Sequence, residues 1–169
     1  MAVESYYTFG PYKIDNKEVF YTTHLSYAMV ISFSFGDCRN FVTLDYIYVH
    51  VLVCPRREVK RFVDLTADET TDLWITAQKV GGQLESYHKA SSLTFTIQDG
   101  PQAGQTVPHV HIHIVPRKAG DFEKNDDIYD AIDNSDKELK QKLDLDKERK
   151  DRSFEEMAQE AEEYRKLFV

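Results

Sequence analysis

Residues His109-Val110-His111-Ile112-His113 alternate imidazole with branched aliphatic side chains. On an extended strand, successive side chains project to opposite faces. His109, His111 and His113 then line one face, while Val110, Ile112 and Ile114 point from the other face into a core. The chain must therefore build a sheet in which this strand is packed on one side and carries a row of imidazoles on the other.

The flanking sequence supplies such a sheet. Residues 18–23 and 26–31 are rich in Val, Phe, Tyr and Ile and are separated by His24-Leu25, the pattern of a hairpin. Residues 49–54 read as a strand ended by Pro55-Arg56-Arg57. Residues 92–99 and 108–115 are two more strands, joined by a loop that begins Gly100-Pro101. Between them, Thr66-Ala67-Asp68-Glu69 is a capping box, and Leu73, Ala77, Val80, Leu84 and Tyr87 follow at helical spacing. Gly81-Gly82 weakens the middle of that helix and marks a place where another element packs closely. A second capping box, Ser153-Phe154-Glu155-Glu156, precedes a stripe of Met157, Ala161, Tyr164 and Phe168. The order predicts an α+β domain: an antiparallel five-stranded sheet, a long helix packed on it, and a C-terminal helix. His24 and His88 read as ordinary polar groups satisfied where they stand.

Charge narrows the partners. The formal net charge is −8, and from Glu123 onward there are 16 acidic residues against 10 basic ones. Such a surface argues against nucleic acid as a partner, yet the nearly neutral first 122 residues can still hold a local phosphate site. We read residues 1–122 as a catalytic domain with an atypical segment at 31–49. Residues 123–169 form its charged C-terminal extension, and the run 144–152 within it reads as a solvated face. Cys38 and Cys54 are the only cysteines, too few for a disulfide scaffold. No targeting pattern opens the chain and no apolar run reaches membrane-spanning length, so a cytoplasmic protein, with the nucleus also open to it, is expected and no membrane partner.

Three imidazoles on one face suit two kinds of chemistry. A metal site would add a carboxylate or thiolate close by, but no acid lies between His109 and Asp121 and no cysteine follows Cys54. The other chemistry is nucleophilic attack on phosphorus. Neutral imidazole is a good nucleophile near pH 7, phosphorylated imidazole is a good leaving group, and flanking imidazoles can donate to phosphate oxygens. The loop Gly104-Gln105-Thr106-Val107 offers backbone N–H groups, an amide and a hydroxyl to an anion, and Gln98, Asp99 and Gly100 lie just before it.

These residues resemble the histidine-triad family. The stretches from Gln98 to Pro108 and from Pro116 to Phe122 are similar to its fragile-histidine-triad branch, with wording closest to plant members, as in Phe9-Gly10-Pro11-Tyr12. The resemblance implies a bis(5′-adenosyl)-triphosphatase that cleaves diadenosine triphosphate to AMP and ADP. His111 would be the nucleophile that carries AMP, and His113 would contact the phosphate at the scissile bond. His109 and His50 would complete the histidine set, while Gln98, Gly104, Gln105, Thr106 and Val107 would hold phosphates. It further implies a homodimer, no tightly bound cofactor, Mg or Mn as the substrate's counter-ion, and adenylylsulfatase activity in plant relatives. Alternatives are nucleoside phosphoramidase activity, or a dinucleotide-binding signalling protein with weak turnover.

Two positions depart from the branch. Ile31 stands where relatives place an Asn that contacts ribose, and Tyr12 stands at a second nucleoside-contacting position that is often His. The segment after Ile31 is longer than in relatives and carries Phe33, Phe35, Phe41, Tyr46 and Tyr48. These aromatics read either as a lid that stacks on a base, or as a solvent-facing hairpin or aberrant splice product. Loss of one ribose hydrogen bond costs about 1–3 kcal/mol, roughly ten- to a hundredfold in affinity, and leaves the nucleophile intact.

Overall fold

The computed structural model describes residues 5–31, 49–144 and 154–169. The aromatic segment after Ile31, Cys38, the charged residues 145–152 and the capping Ser153 lie outside the described residues. Ten elements follow in order: β1 (Tyr6–Phe9), β2 (Tyr12–Asp15), β3 (Val19–Thr22), β4 (Ser26–Val30), β5 (Val51–Pro55), α1 (Ala67–Tyr87), β6 (Ser92–Thr96), β7 (Ile112–Arg117), α2 (Asp127–Asp144) and α3 (Phe154–Arg165).

β3 to β7 form the expected five-stranded sheet, in the order β3-β4-β5-β7-β6 with every pair antiparallel. Two elements were not anticipated from sequence. The β1–β2 hairpin was hidden because its strands are only four residues long, and α2 because charge dominates its composition. The last strand also begins later than expected. His109 lies in a bend ahead of β7, its N–H turned back to the Val107 carbonyl at 2.8 Å, and Val110 is tied to the neighbouring segment by its N–H to Val59 O at 2.7 Å.

Period-2 patterning divides the sheet into two chemistries. Val51, Val53, Val110, Ile112 and Ile114 face α1 and pack on Leu73, Ala77, Val80 and Leu84, all buried. Each such Val, Leu or Ile side chain contributes about 1.5–3 kcal/mol when fully buried. Thr66 and Glu69 close the capping box in both directions, which sets where α1 starts. Tyr87 corrects the expected stripe: it stands 45% exposed, with its hydroxyl donating to Glu163 on α3. The expected close approach falls on Gly81, where a Cβ would meet the Phe95 ring at 2.8 Å and Leu93 at 3.0 Å.

α3 covers the β3 side of the sheet with Met157, Ala161 and Tyr164, the last edge-on to Phe20. Arg165 completes the attachment by donating to the carbonyls of Asn16, Lys17 and Val19. His88 meets the Tyr164 hydroxyl at 2.9 Å, a locally satisfied polar group as expected. On the opposite face of the sheet, Phe9, Met29, Ile31, Leu52, Cys54 and Val107 form a second apolar cluster. The histidines are embedded beside it.

Candidate active site

The alternation of β5 and β7 sets the imidazole row. Leu52 pairs with His113 across the two strands, so His50, two residues before Leu52, shares that face. His50 Nε2 and His113 Nδ1 lie 2.9 Å apart. The rings of His111 and His113 meet edge to face with centroids 4.8 Å apart. Phe9 from the β1–β2 hairpin closes over the row, with its ring centroid 5.6 Å from that of His109 and 5.3 Å from that of His111. All four histidines are buried.

Hydrogen bonding gives two of these imidazoles different characters. His109 Nδ1 accepts the backbone N–H of Gly10 at 3.1 Å, and its Nε2–H donates to the Pro55 carbonyl at 2.9 Å. Both nitrogens are thus committed to backbone in a neutral ring. Burial, the dominant cause, holds the pKa of His109 below its ordinary value. His111 is tied to backbone through Nδ1–H, which donates to the His109 carbonyl at 2.6 Å. That bond selects the tautomer whose lone pair lies on Nε2.

The loop before the histidines is braced from several sides. Asp99 accepts from Arg61 Nε at 3.1 Å and from the Phe62 N–H at 2.8 Å. The Arg61 guanidinium holds the Asp99 carboxyl below its usual pKa. Gln105 spends its side chain inside the protein, accepting from Gly100 N–H and donating to the carbonyls of Lys60 and His109. The N–H groups of Gly104 and Gln105 return to the carbonyls of Pro101 and Gly100. Val107 is buried against Gly10, where a Cβ on the glycine would come within 2.9 Å of Cγ1. Gln98 is also buried, directly beneath Gly104.

The family model of the HIT domain matches residues 15–120. The chain belongs to the HIT-domain family. The bifunctional bis(5′-adenosyl)-triphosphatase/adenylylsulfatase FHIT of Arabidopsis thaliana is 70% identical over 164 residues, which span 97% of this chain and 85% of that protein. The bis(5′-adenosyl)-triphosphatase of Dictyostelium discoideum is 46% identical, spanning 95% of this chain and 91% of its own. Among solved structures, the NitFhit protein of C. elegans superposes with a TM-score of 0.71 at 38% identity. That match covers 99% of this chain and 31% of the NitFhit chain. The likeness to the fragile-histidine-triad branch is therefore carried by the whole HIT domain and by the α3 region beyond it.

Within this HIT domain the structure brings His50, His109, His111 and His113 together, and sets Gln98 against Gly104 in the loop that precedes the histidines. Ile31 is buried in the apolar cluster with Phe9 and Val107, and Tyr12 packs half-buried against the same cluster. Two contributors escaped the sequence reading. Gly10 acts through its backbone, for which the Gly10-Pro11 turn was the available signal. Asp133 of α2 accepts a hydrogen bond from Gln98 Nε2. It lay in a charged stretch whose only helical signal was the spacing of Ile128, Ala131 and Ile132. Among the described residues there is no group of three or more His, Cys, Asp or Glu arranged to hold a metal ion.

Proposed function

We propose that this protein is a dinucleoside triphosphate hydrolase that splits diadenosine triphosphate into AMP and ADP through a nucleotide carried on His111. The tautomer of His111 carries this reading. Its Nδ1–H donation to the His109 carbonyl leaves the lone pair on Nε2, as attack on phosphorus requires. Nε2 forms a bond to the α-phosphorus, and the bond from that phosphorus to the bridging oxygen breaks, with ADP leaving on the electron pair. His113, paired with His50, contacts the phosphate and supplies the hydrogen bond that steadies the leaving oxygen. Water then attacks the same phosphorus, the P–N bond breaks, and AMP departs with His111 restored. Gln98, Gly104, Gln105, Thr106 and Val107 form the cradle for the phosphates, Gln105 by holding the loop in shape. Mg or Mn travels with the polyphosphate as its counter-ion, as part of the substrate.

The same attack serves adenosine 5′-phosphosulfate, with sulfate in place of ADP as leaving group. The Arabidopsis relative's name, which includes adenylylsulfatase, favours this second activity. A homodimer fits the sheet, because β6 is an edge strand that pairs only with β7 among the described residues and exposes Phe95. No described helix is long and apolar enough to cross a membrane. A cytoplasmic pool, with access to the nucleus, is the matching location, open to cell fractionation.

The deciding assay incubates the protein with diadenosine triphosphate and Mg, and separates the nucleotide products. Equal amounts of AMP and ADP are expected from the native protein, and neither from His111→Asn, which should still bind AMP. Full turnover by His111→Asn would end the proposal. Sedimentation equilibrium tests the dimer, whose absence at micromolar concentration would remove that part alone.

A further inference from the structure

Helix α2 reaches the phosphate loop with one side chain. Ile128 and Ile132 pack on Val115 and Phe122, which fixes how the helix is turned. Asp133, the next residue, accepts from Gln98 Nε2 through Oδ1. Gln98 is only 9% exposed, and its Oε1 has no hydrogen-bond partner among the described residues. Its one observed hydrogen bond is therefore to this carboxylate. A Cβ on Gly104 would lie 2.7 Å from Gln98 Nε2 and 3.3 Å from Asp133 Oδ1, so the pair rests directly on the loop backbone.

We propose that Asp133 is an anionic latch on the phosphate cradle: its carboxylate holds the Gln98 amide, and its charge must move away before a phosphate oxygen of the substrate can share that amide. This rests on the assignment of Gln98 and its loop to phosphate binding. A carboxylate oxygen and a non-bridging phosphate oxygen carry similar charge and seek the same donors. The Gln98 amide nitrogen carries two N–H groups, so the conflict is one of charge: the carboxylate and a phosphate held a few ångströms apart on the same amide repel. Substrate therefore enters by displacing α2 locally. The helix is suited to that, since its apolar anchor is a small satellite cluster separate from the sheet core. His111, 2% exposed, also needs some element to move before it can meet a phosphorus atom.

The test combines kinetics with hydrogen exchange, using Asp133→Ala and Asp133→Asn in the full chain. Asp133→Ala should lower KM for diadenosine triphosphate by roughly tenfold, about the worth of relieving one close like-charge contact, with kcat within twofold. Asp133→Asn keeps the acceptor but not the charge, and should fall between. Inorganic triphosphate should speed amide exchange across α2 in the native protein and leave Asp133→Ala, already fast, unchanged. An unaltered KM together with native-like α2 exchange in Asp133→Ala would overturn the latch. So would a raised KM, which would make Asp133 a ligand of the substrate or its cation. If no variant hydrolyses any dinucleotide, the hydrolase reading fails, and the exchange response to triphosphate alone still decides the latch.

Discussion

Gly10 donates its backbone N–H to Nδ1 of His109, whose other nitrogen donates to the Pro55 carbonyl. The first histidine of the motif is thus a brace between the β1–β2 hairpin and β5. Its own carbonyl accepts the Nδ1–H of His111 and so orients that ring.

Replacing His109 by Ala leaves a buried N–H and a buried carbonyl unpaired, at about 1–3 kcal/mol each. The melting temperature should therefore fall by several degrees, while kcat falls far less than in His111→Asn. Calorimetry beside steady-state assays separates the two effects. An equal loss of kcat in both variants would make His109 a direct participant.

Gly10 has φ +56°, and a Cβ there would come 2.9 Å from Val107 Cγ1. Gly10→Ala should destabilise by about 1–3 kcal/mol through combined backbone and packing strain. Adding Val107→Ala should recover part of the packing share, read from denaturant midpoints. Purely additive losses would show that the two residues do not press on each other.

Ile31 is 4% exposed in the apolar cluster beside the histidine row. Ile31→Asn places an amide there, so stability should fall by roughly 2–4 kcal/mol. AMP binding to His111→Asn carrying this change should tighten about tenfold as a ribose contact is regained. Lower stability with unchanged binding would mean that the position serves packing alone.

Stability should decline in acid in two stages. Burial, and after it the Lys118 charge, push the His88 pKa down to about 4, so the folded protein resists a proton that the unfolded chain takes near 6.5. Stability is lost as pH falls between those values. Glu69, held at about 2 mainly by its hydrogen bonds from Arg57, stabilises above about 4.5 and loses that contribution as pH drops toward 2. Melting temperatures from pH 7 to pH 3 would trace both stages, and His88→Gln should flatten the first. A melting temperature constant from pH 7 to 4 would contradict the His88 assignment.

Much of this was legible in advance because it follows from side-chain period. The alternation at 109–113, the capping box at Thr66 and the aliphatic stripe of α1 each encode a local geometry that tertiary structure left in place. Gly10 could not be assigned its role, because a backbone N–H carries no identity and its partner lies 99 residues away. Asp133 is one acid among many, and only the packing of Ile128 and Ile132 shows which way it points. Tyr87 continued the helical spacing into the last turn of α1, which stands beside α3 at the edge of the core and leaves it half-exposed.

The attachment of Arg165 to the carbonyls at Asn16, Lys17 and Val19 also has a consequence for biosynthesis. The strand beside those carbonyls leaves the ribosome early, but the side chain that caps them is made almost 150 residues later. At translation speeds of about 5–20 residues per second, that border of the sheet waits on the order of ten seconds or more for its cover. During that interval a nascent-chain chaperone, or a neighbouring ribosome's product, competes for the same unsealed surface.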